Sequence, residues 1–173
     1  VLGTVPAGSA LTRGGAREGD RICVSGSLGD AAAGLAVLQG RLAAGERQRE
    51  RFLAAFWEPV PQLALGDALR AAATAAIDVS DGLLADAGHI AGRSGVAITI
   101  ESARLPISRE LLDCAGRDRA LQWALAGGED YALCFTLPPG TALPEGCTCV
   151  GFVEGGTGVH CDAACDDTGY RHW

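Results

Sequence analysis

The side chains best placed for chemistry are Asp78, Ser80 and Asp81, within Ala76-Ile77-Asp78-Val79-Ser80-Asp81-Gly82-Leu83. Residues 74–79 are short, apolar and β-branched toward the end, which predicts a buried strand. Residues 86–90 carry apolar positions at helical spacing, which predicts a helix. Two carboxylates three residues apart, a hydroxyl and a glycine thus stand where a strand gives way to a helix. Magnesium prefers hard oxygen ligands and reaches protein through one or two carboxylates plus substrate phosphates. A helix N-terminus adds backbone N–H groups and a dipole favourable to phosphate. The octet taken alone favours a simpler role, in which Ser80 or Asp81 caps the helix; the rest of the chain reverses that balance.

The composition narrows what such a site could serve. With 173 residues, 48% hydrophobic and 20% charged, the chain is long and apolar enough for one folded domain with a sizeable core. A net charge of −7 and a pI near 4.9 argue against a nucleic-acid backbone or an anionic membrane as partner. All fourteen basic residues are Arg. Phosphate here would therefore be held by Arg, backbone N–H groups or metal, and a Walker lysine is excluded. The seven Cys, at 23, 114, 134, 147, 149, 161 and 165, do not match paired zinc spacing. They read as reduced thiols of a cytoplasmic protein, several of them core residues. No signal peptide or long apolar run occurs, so a soluble protein is expected. A chain that starts at Val1 and contains no Met reads as a piece of a longer protein.

The elements that must position the octet follow from the pattern. Residues 21–25 predict the first strand. Gly26-Ser27-Leu28-Gly29-Asp30 then leads into an alanine-rich helix over 31–42, with Asp30 as its cap. Residues 45–50 are a solvated turn or helix start, 52–57 are amphipathic, and Pro59 and Pro61 stop them. A helix over 63–73 delivers the chain to the strand of the octet. Ser94-Gly95 ends the following helix, 96–100 alternates as a strand, Ser108 caps the next helix, and 118–125 forms another. Gly127-Gly128-Glu129-Asp130-Tyr131 enters a strand at 132–137, with glycines that allow close backbone approach or positive φ. Its two acids read either as pocket residues or as solvated charges beside a helix end. Strand alternation turns Asp130 away from Glu129, so Asp130 is expected to matter less to any ligand that Glu129 meets. Residues 147–153 and 158–161 read as a closing hairpin around Glu154-Gly155-Gly156. Together these elements predict an α+β fold, a mixed β-sheet with covering helices.

Three of these motifs, the octet, Gly127-Gly128-Glu129-Asp130-Tyr131 and Gly26-Ser27-Leu28-Gly29-Asp30-Ala31-Ala32-Ala33-Gly34-Leu35, stand in an order and spacing that resembles the thiamine-monophosphate kinases. That family belongs to the aminoimidazole-ribonucleotide synthetase-like superfamily. The resemblance runs over essentially the whole chain but covers only the family's C-terminal domain. It implies that residues 1–173 are that domain of a two-domain kinase, whose N-terminal ATP- and metal-binding domain lies outside this chain. The implied activity is ATP-dependent phosphorylation of thiamine monophosphate to thiamine diphosphate, with magnesium (Mg²⁺) as cofactor and a homodimer as the full-length form. By motif match, Asp78 and Asp81 would bind magnesium, Arg13 and Ser80 would contact ATP, and Glu129 would contact the thiamine substrate. Gly169-Tyr170-Arg171-His172-Trp173 resembles the family's closing sequence, but Asp167 stands where the family has a substrate-contacting Trp. Tyr170 or Trp173 would have to supply that aromatic contact, or stacking would be weaker.

Phosphoryl transfer by this route needs charge neutralisation and in-line positioning rather than a covalent catalyst. The attacking phosphate oxygen is already anionic, so no strong general base is required, and His89, His160 and His172 read as structural. Two alternatives stand beside this reading. One is another ATP-using enzyme of the same superfamily, against which Gly127-Gly128-Glu129-Asp130-Tyr131 argues. The other is an isolated, non-catalytic binding or dimerisation module.

Overall fold

The strand predicted at 21–25 forms as read and becomes the middle of the sheet. The structure, a computed structural model, describes residues 4–163; Asp167, Tyr170 and Trp173 lie outside the described residues. In chain order the elements are β1 (Arg21–Ser25), α1 (Asp30–Leu38), α2 (Glu46–Trp57), α3 (Leu63–Leu69), β2 (Ala75–Asp78), α4 (Leu83–Ser94) and β3 (Ala97–Ile100). A single 3₁₀ turn (Ser102–Arg104) leads to α5 (Arg109–Ala115), α6 (Arg117–Ala126), β4 (Leu133–Leu137), β5 (Cys147–Glu154) and β6 (Gly158–Cys161). The strands make one six-stranded sheet in the order β2-β4-β1-β5-β3-β6. Every pairing is antiparallel except β3 with β6, which is parallel. The fold is the expected α+β arrangement with a mixed sheet.

Alternation along the strands loads both faces of the sheet. Ile22 and Val24 of β1 join a cluster with Ile77, Val79, Leu83, Ile90 and Leu125, which belong to β2, α4, α6 and their links. Cys23 faces the other way, with Leu69, Ala76, Phe135 and Leu137. Full burial of side chains such as Ile22 and Phe135 contributes about 1.5–3 kcal/mol each. A one-residue slip would exchange the two faces, so the register is held from both sides. A third cluster around Phe52, Val37 and Leu111 packs α1, α2 and α5 together.

Several boundaries differ from the sequence pattern. Helix α1 ends at Leu38, short of 42, because the N–H groups of Arg41 and Leu42 both turn back to the Ala36 carbonyl. Helix α2 begins at Glu46, so the charged stretch before Phe52 is helical. Helix α3 ends at Leu69, short of 73; the N–H groups of Ala72 and Ala73 close on the Leu69 carbonyl. Asp30 is not a helix cap. Gly29 occupies that position with no side-chain cap bond. The buried Asp30 carboxylate instead accepts from Ser108 Oγ at 2.5 Å, Arg51 Nε at 2.9 Å and Ser27 Oγ at 3.2 Å, tying α1 to α2 and α5. Ser108 does cap α5, accepting from the Leu111 N–H at 3.1 Å.

The predicted closing hairpin does not form. Strand β3 lies between β5 and β6, with Ala97 opposite both Glu154 and Gly158. The intervening loop therefore spans two strand spacings, about 9–10 Å, rather than one. The reason is burial: Ile98 and Ile100 of β3 complete the main core beside Val150 and Val153, which a direct β5–β6 pairing would displace.

Candidate functional site

At the C-terminal end of β2 the chain leaves the sheet at Asp78, which is exposed, while Val79 beside it is fully buried. Residues 79–80 and 129–132 then bond to each other as a short ladder. The Val79 N–H donates to the Ala132 carbonyl at 2.8 Å, the Tyr131 N–H to the Val79 carbonyl at 2.8 Å, and the Glu129 N–H to the Ser80 carbonyl at 2.9 Å. Two motifs some fifty residues apart in sequence thus become one loop pair.

Neither Ser80 nor Asp81 caps α4. Gly82 holds that position without a side-chain cap bond. The bond runs the other way: Asp86, one turn into the helix and 2% exposed, accepts the N–H groups of Ser80 at 2.9 Å and Asp81 at 3.0 Å through one oxygen. Those two N–H groups are consequently engaged by the protein itself. Burial raises the Asp86 pKa, its two N–H bonds oppose the rise, and the charges of Asp81 and Asp78 add to it. Asp86 was not singled out in the sequence, where it looked like any acid in a first helical turn.

The Glu129 loop is built from unusual backbone. Gly128 has φ 66°, and both Glu129 (φ 61°) and Tyr131 (φ 48°) adopt positive φ, which only those two non-glycine residues do among the described residues. Each costs of order 1–3 kcal/mol and persists only where the surroundings enforce it. A Cβ on Gly128 would stand 2.6 Å from the Ser80 carbonyl oxygen. Gly128→Ala should therefore lower the melting temperature well beyond the effect of Gly140→Ala. Gly140 shares a positive φ of 79° but has nothing within 4 Å of its missing Cβ. The control isolates the left-handed backbone cost, about 1–2 kcal/mol. A thermal melt showing equal shifts for both variants would mean the loop pair is not close-packed.

Asp78, Asp81 and Glu129 converge on Tyr131. The charge of Glu129, then burial and a hydrogen bond with Glu129, then the charges of Asp78 and Asp81 all raise the tyrosine pKa. The structure thus brings together four of the residues singled out in the sequence: Asp78, Ser80, Asp81 and Glu129. Arg13 stands apart from them. Its neighbour Thr12 accepts the Ala76 N–H, and the chain then runs back along β2 toward Thr74, so Arg13 lies upstream of Asp78 beside Gly14 and Arg93. Among the described residues no group of three or more His, Cys, Asp or Glu is arranged to hold a metal ion. The two loop carboxylates, Asp78 and Asp81, are by themselves fewer oxygen donors than a magnesium ion takes.

Asp130 faces away from this cluster, though not by strand alternation, since β4 begins only at Leu133 and Glu129 and Tyr131 hold positive φ; nor is it a bystander. Both its oxygens lie 3.0 Å from the Gly29 N–H, at the N-terminus of α1. Burial pushes its carboxyl up to about 7, the N–H groups of Gly29 and Ala31 oppose that rise, and the charge of Asp30 adds to it.

Residues 17–142 match the family described as AIR synthase related protein, C-terminal domain. The chain is 49% identical over 139 residues to the thiamine-monophosphate kinase of Salmonella typhimurium, covering 80% of this chain and 43% of that protein. Its fold superposes on the crystal structure of thiamine-monophosphate kinase from Stenotrophomonas maltophilia K279a with a TM-score of 0.85 and 45% identity, over 91% of this chain and 54% of the other. AaThiL complexed with AMPPCP and TMP gives a TM-score of 0.84 at 38% identity, over 94% and 54% of the two chains. The chain spans about half the length of the relatives it matches.

Proposed function

We propose that this chain, which belongs to the AIR synthase related family through that family's C-terminal domain, is the C-terminal half of a thiamine-monophosphate kinase. The full protein would transfer the γ-phosphoryl group of ATP to thiamine monophosphate, giving thiamine diphosphate. The observation that carries this is the joined loop pair, in which the octet and the Glu129 loop form one acidic site. Support comes from the similarity to a solved relative complexed with AMPPCP and TMP.

In this reading Asp78 and Asp81 hold magnesium, whose charge offsets that of the phosphates. The pair fits that role: hard oxygen donors, one of them exposed at a strand end, with ligand phosphates left to complete the sphere. Asp86 keeps the backbone of Ser80 and Asp81 in place, so the Ser80 hydroxyl, rather than its N–H, meets ATP. Arg13 would reach ATP from beside the start of β2. Glu129 would face the thiazolium, a fixed cation, and favour thiamine over uncharged analogues. A homodimer and a cytoplasmic location belong to the same proposal; no helix among the described residues is long and apolar enough to cross a membrane.

The test is phosphoryl transfer from labelled ATP to thiamine monophosphate by the full-length protein, wild type against Glu129→Gln. The substitution should raise KM for thiamine monophosphate about ten- to a hundredfold, the loss of one charge-assisted contact of roughly 1.5–3 kcal/mol. KM for ATP should stay nearly unchanged. An equal rise in both constants would remove Glu129 from the substrate site. Absence of thiamine diphosphate formation by the wild type would overturn the function.

A further inference from the structure

We propose that Asp130 is a positioning residue for the substrate: it anchors the strained loop that aims Glu129, by tying that loop to the N-terminus of α1. The proposal rests on the reading of Glu129 given above, and it reverses the expectation that Asp130 matters little.

The geometry divides the loop between two supports. On one side Glu129 and Tyr131 donate their N–H groups to the Ser80 and Val79 carbonyls, which fixes the loop to the octet. On the other side Asp130 points away and meets the Gly29 N–H with both oxygens at 3.0 Å. The first turn of a nine-residue helix has unsatisfied N–H groups and a positive dipole end, which suit a carboxylate. Gly128, Glu129 and Tyr131 all hold positive φ, and Asp130 alone among residues 128–131 does not. A loop with three left-handed residues in four relaxes once a support is removed. The octet side holds the backbone, but the Asp130 side sets the rotation that presents Glu129.

The same tether connects the substrate loop to Gly26-Ser27-Leu28-Gly29-Asp30, a glycine-rich turn read from sequence only as the lead into α1 with Asp30 as its cap. Its N–H at Gly29 serves Asp130 instead. Asp30, the next residue, is itself locked by Arg51, Ser27 and Ser108, so the anchor point is rigid.

A double-mutant cycle in the full-length protein tests this, with Asp130→Ala, Glu129→Gln and the pair. Asp130→Ala should raise KM for thiamine monophosphate about tenfold and leave KM for ATP within about twofold, and Asp130→Asn, which keeps one accepting oxygen, should recover most of the loss. Because Asp130 acts through Glu129, the double variant should match Glu129→Gln alone. Additive effects, an equal rise in both KM values, or an Asp130→Asn as damaging as Asp130→Ala would each overturn the assignment. If Asp130→Ala does not fold, the cycle is run with Asp130→Glu, whose extra methylene displaces the loop while keeping the charge, and the same outcomes decide. A silent Glu129→Gln refutes the substrate reading itself, and the proposal with it. An effective Glu129→Gln beside a silent Asp130→Ala refutes the tether alone.

Discussion

Produced alone, the 173-residue chain is expected to give no turnover of thiamine monophosphate above a no-enzyme control. It spans 43% of its Salmonella typhimurium relative, and its described residues hold no three-residue metal group. Phosphoryl transfer depends on charge neutralisation and in-line placement of both reactants. Positioning of that kind is worth about 7–11 kcal/mol, so a half-site should lose at least five orders of magnitude in rate. The measurement is product formation by the purified chain, with the full-length protein as positive control and a cooperative thermal melt to establish folding. Turnover by a folded chain would mean that these residues carry a complete site, and the division of labour proposed here would be wrong.

In the full-length protein, Asp78→Asn should reduce kcat about 10³-fold, equivalent to roughly 4 kcal/mol of transition-state stabilisation. Stability should change little, because Asp78 is exposed at the end of β2 and the adjacent ladder runs through Val79. The substitution preserves shape and removes only a charge that a metal-bound phosphate needs. Raising magnesium should recover part of the loss if the carboxylate is a ligand. Should Asp78→Asn unfold the domain while Asp81→Asn leaves the kinetics untouched, the octet is structural and the metal assignment fails.

Much of this site was legible before any coordinates. Residues 21–25 announce β1, and the octet announces a strand, a turn and a helix, because apolar periodicity and glycine act over a few residues. The same locality explains the errors. Glu154-Gly155-Gly156 has hairpin chemistry, yet β3 separates the strands on either side, since strand partners are chosen by which apolar faces complete the core. Asp30 sits where a cap belongs, yet Ser27, Arg51 and Ser108 draw its carboxylate into the interior.

The sequence by itself determined the chemical inventory: two carboxylates and a hydroxyl at a strand end, a glycine-led acidic loop, Arg as the only strong cation, and motif spacing that resembles one family. Only the tertiary structure decided which acids face the site and which build it. The charges of Asp78, Asp81 and Glu129 all act on Tyr131, whereas Asp86, five residues beyond Asp81, and Asp130, next to Glu129, spend their oxygens on backbone N–H groups. The physical reason is that a carboxylate's role follows from the nearest unsatisfied donor. For Asp130 that donor is the N–H of Gly29, 101 residues away, a distance across which no local pattern carries information.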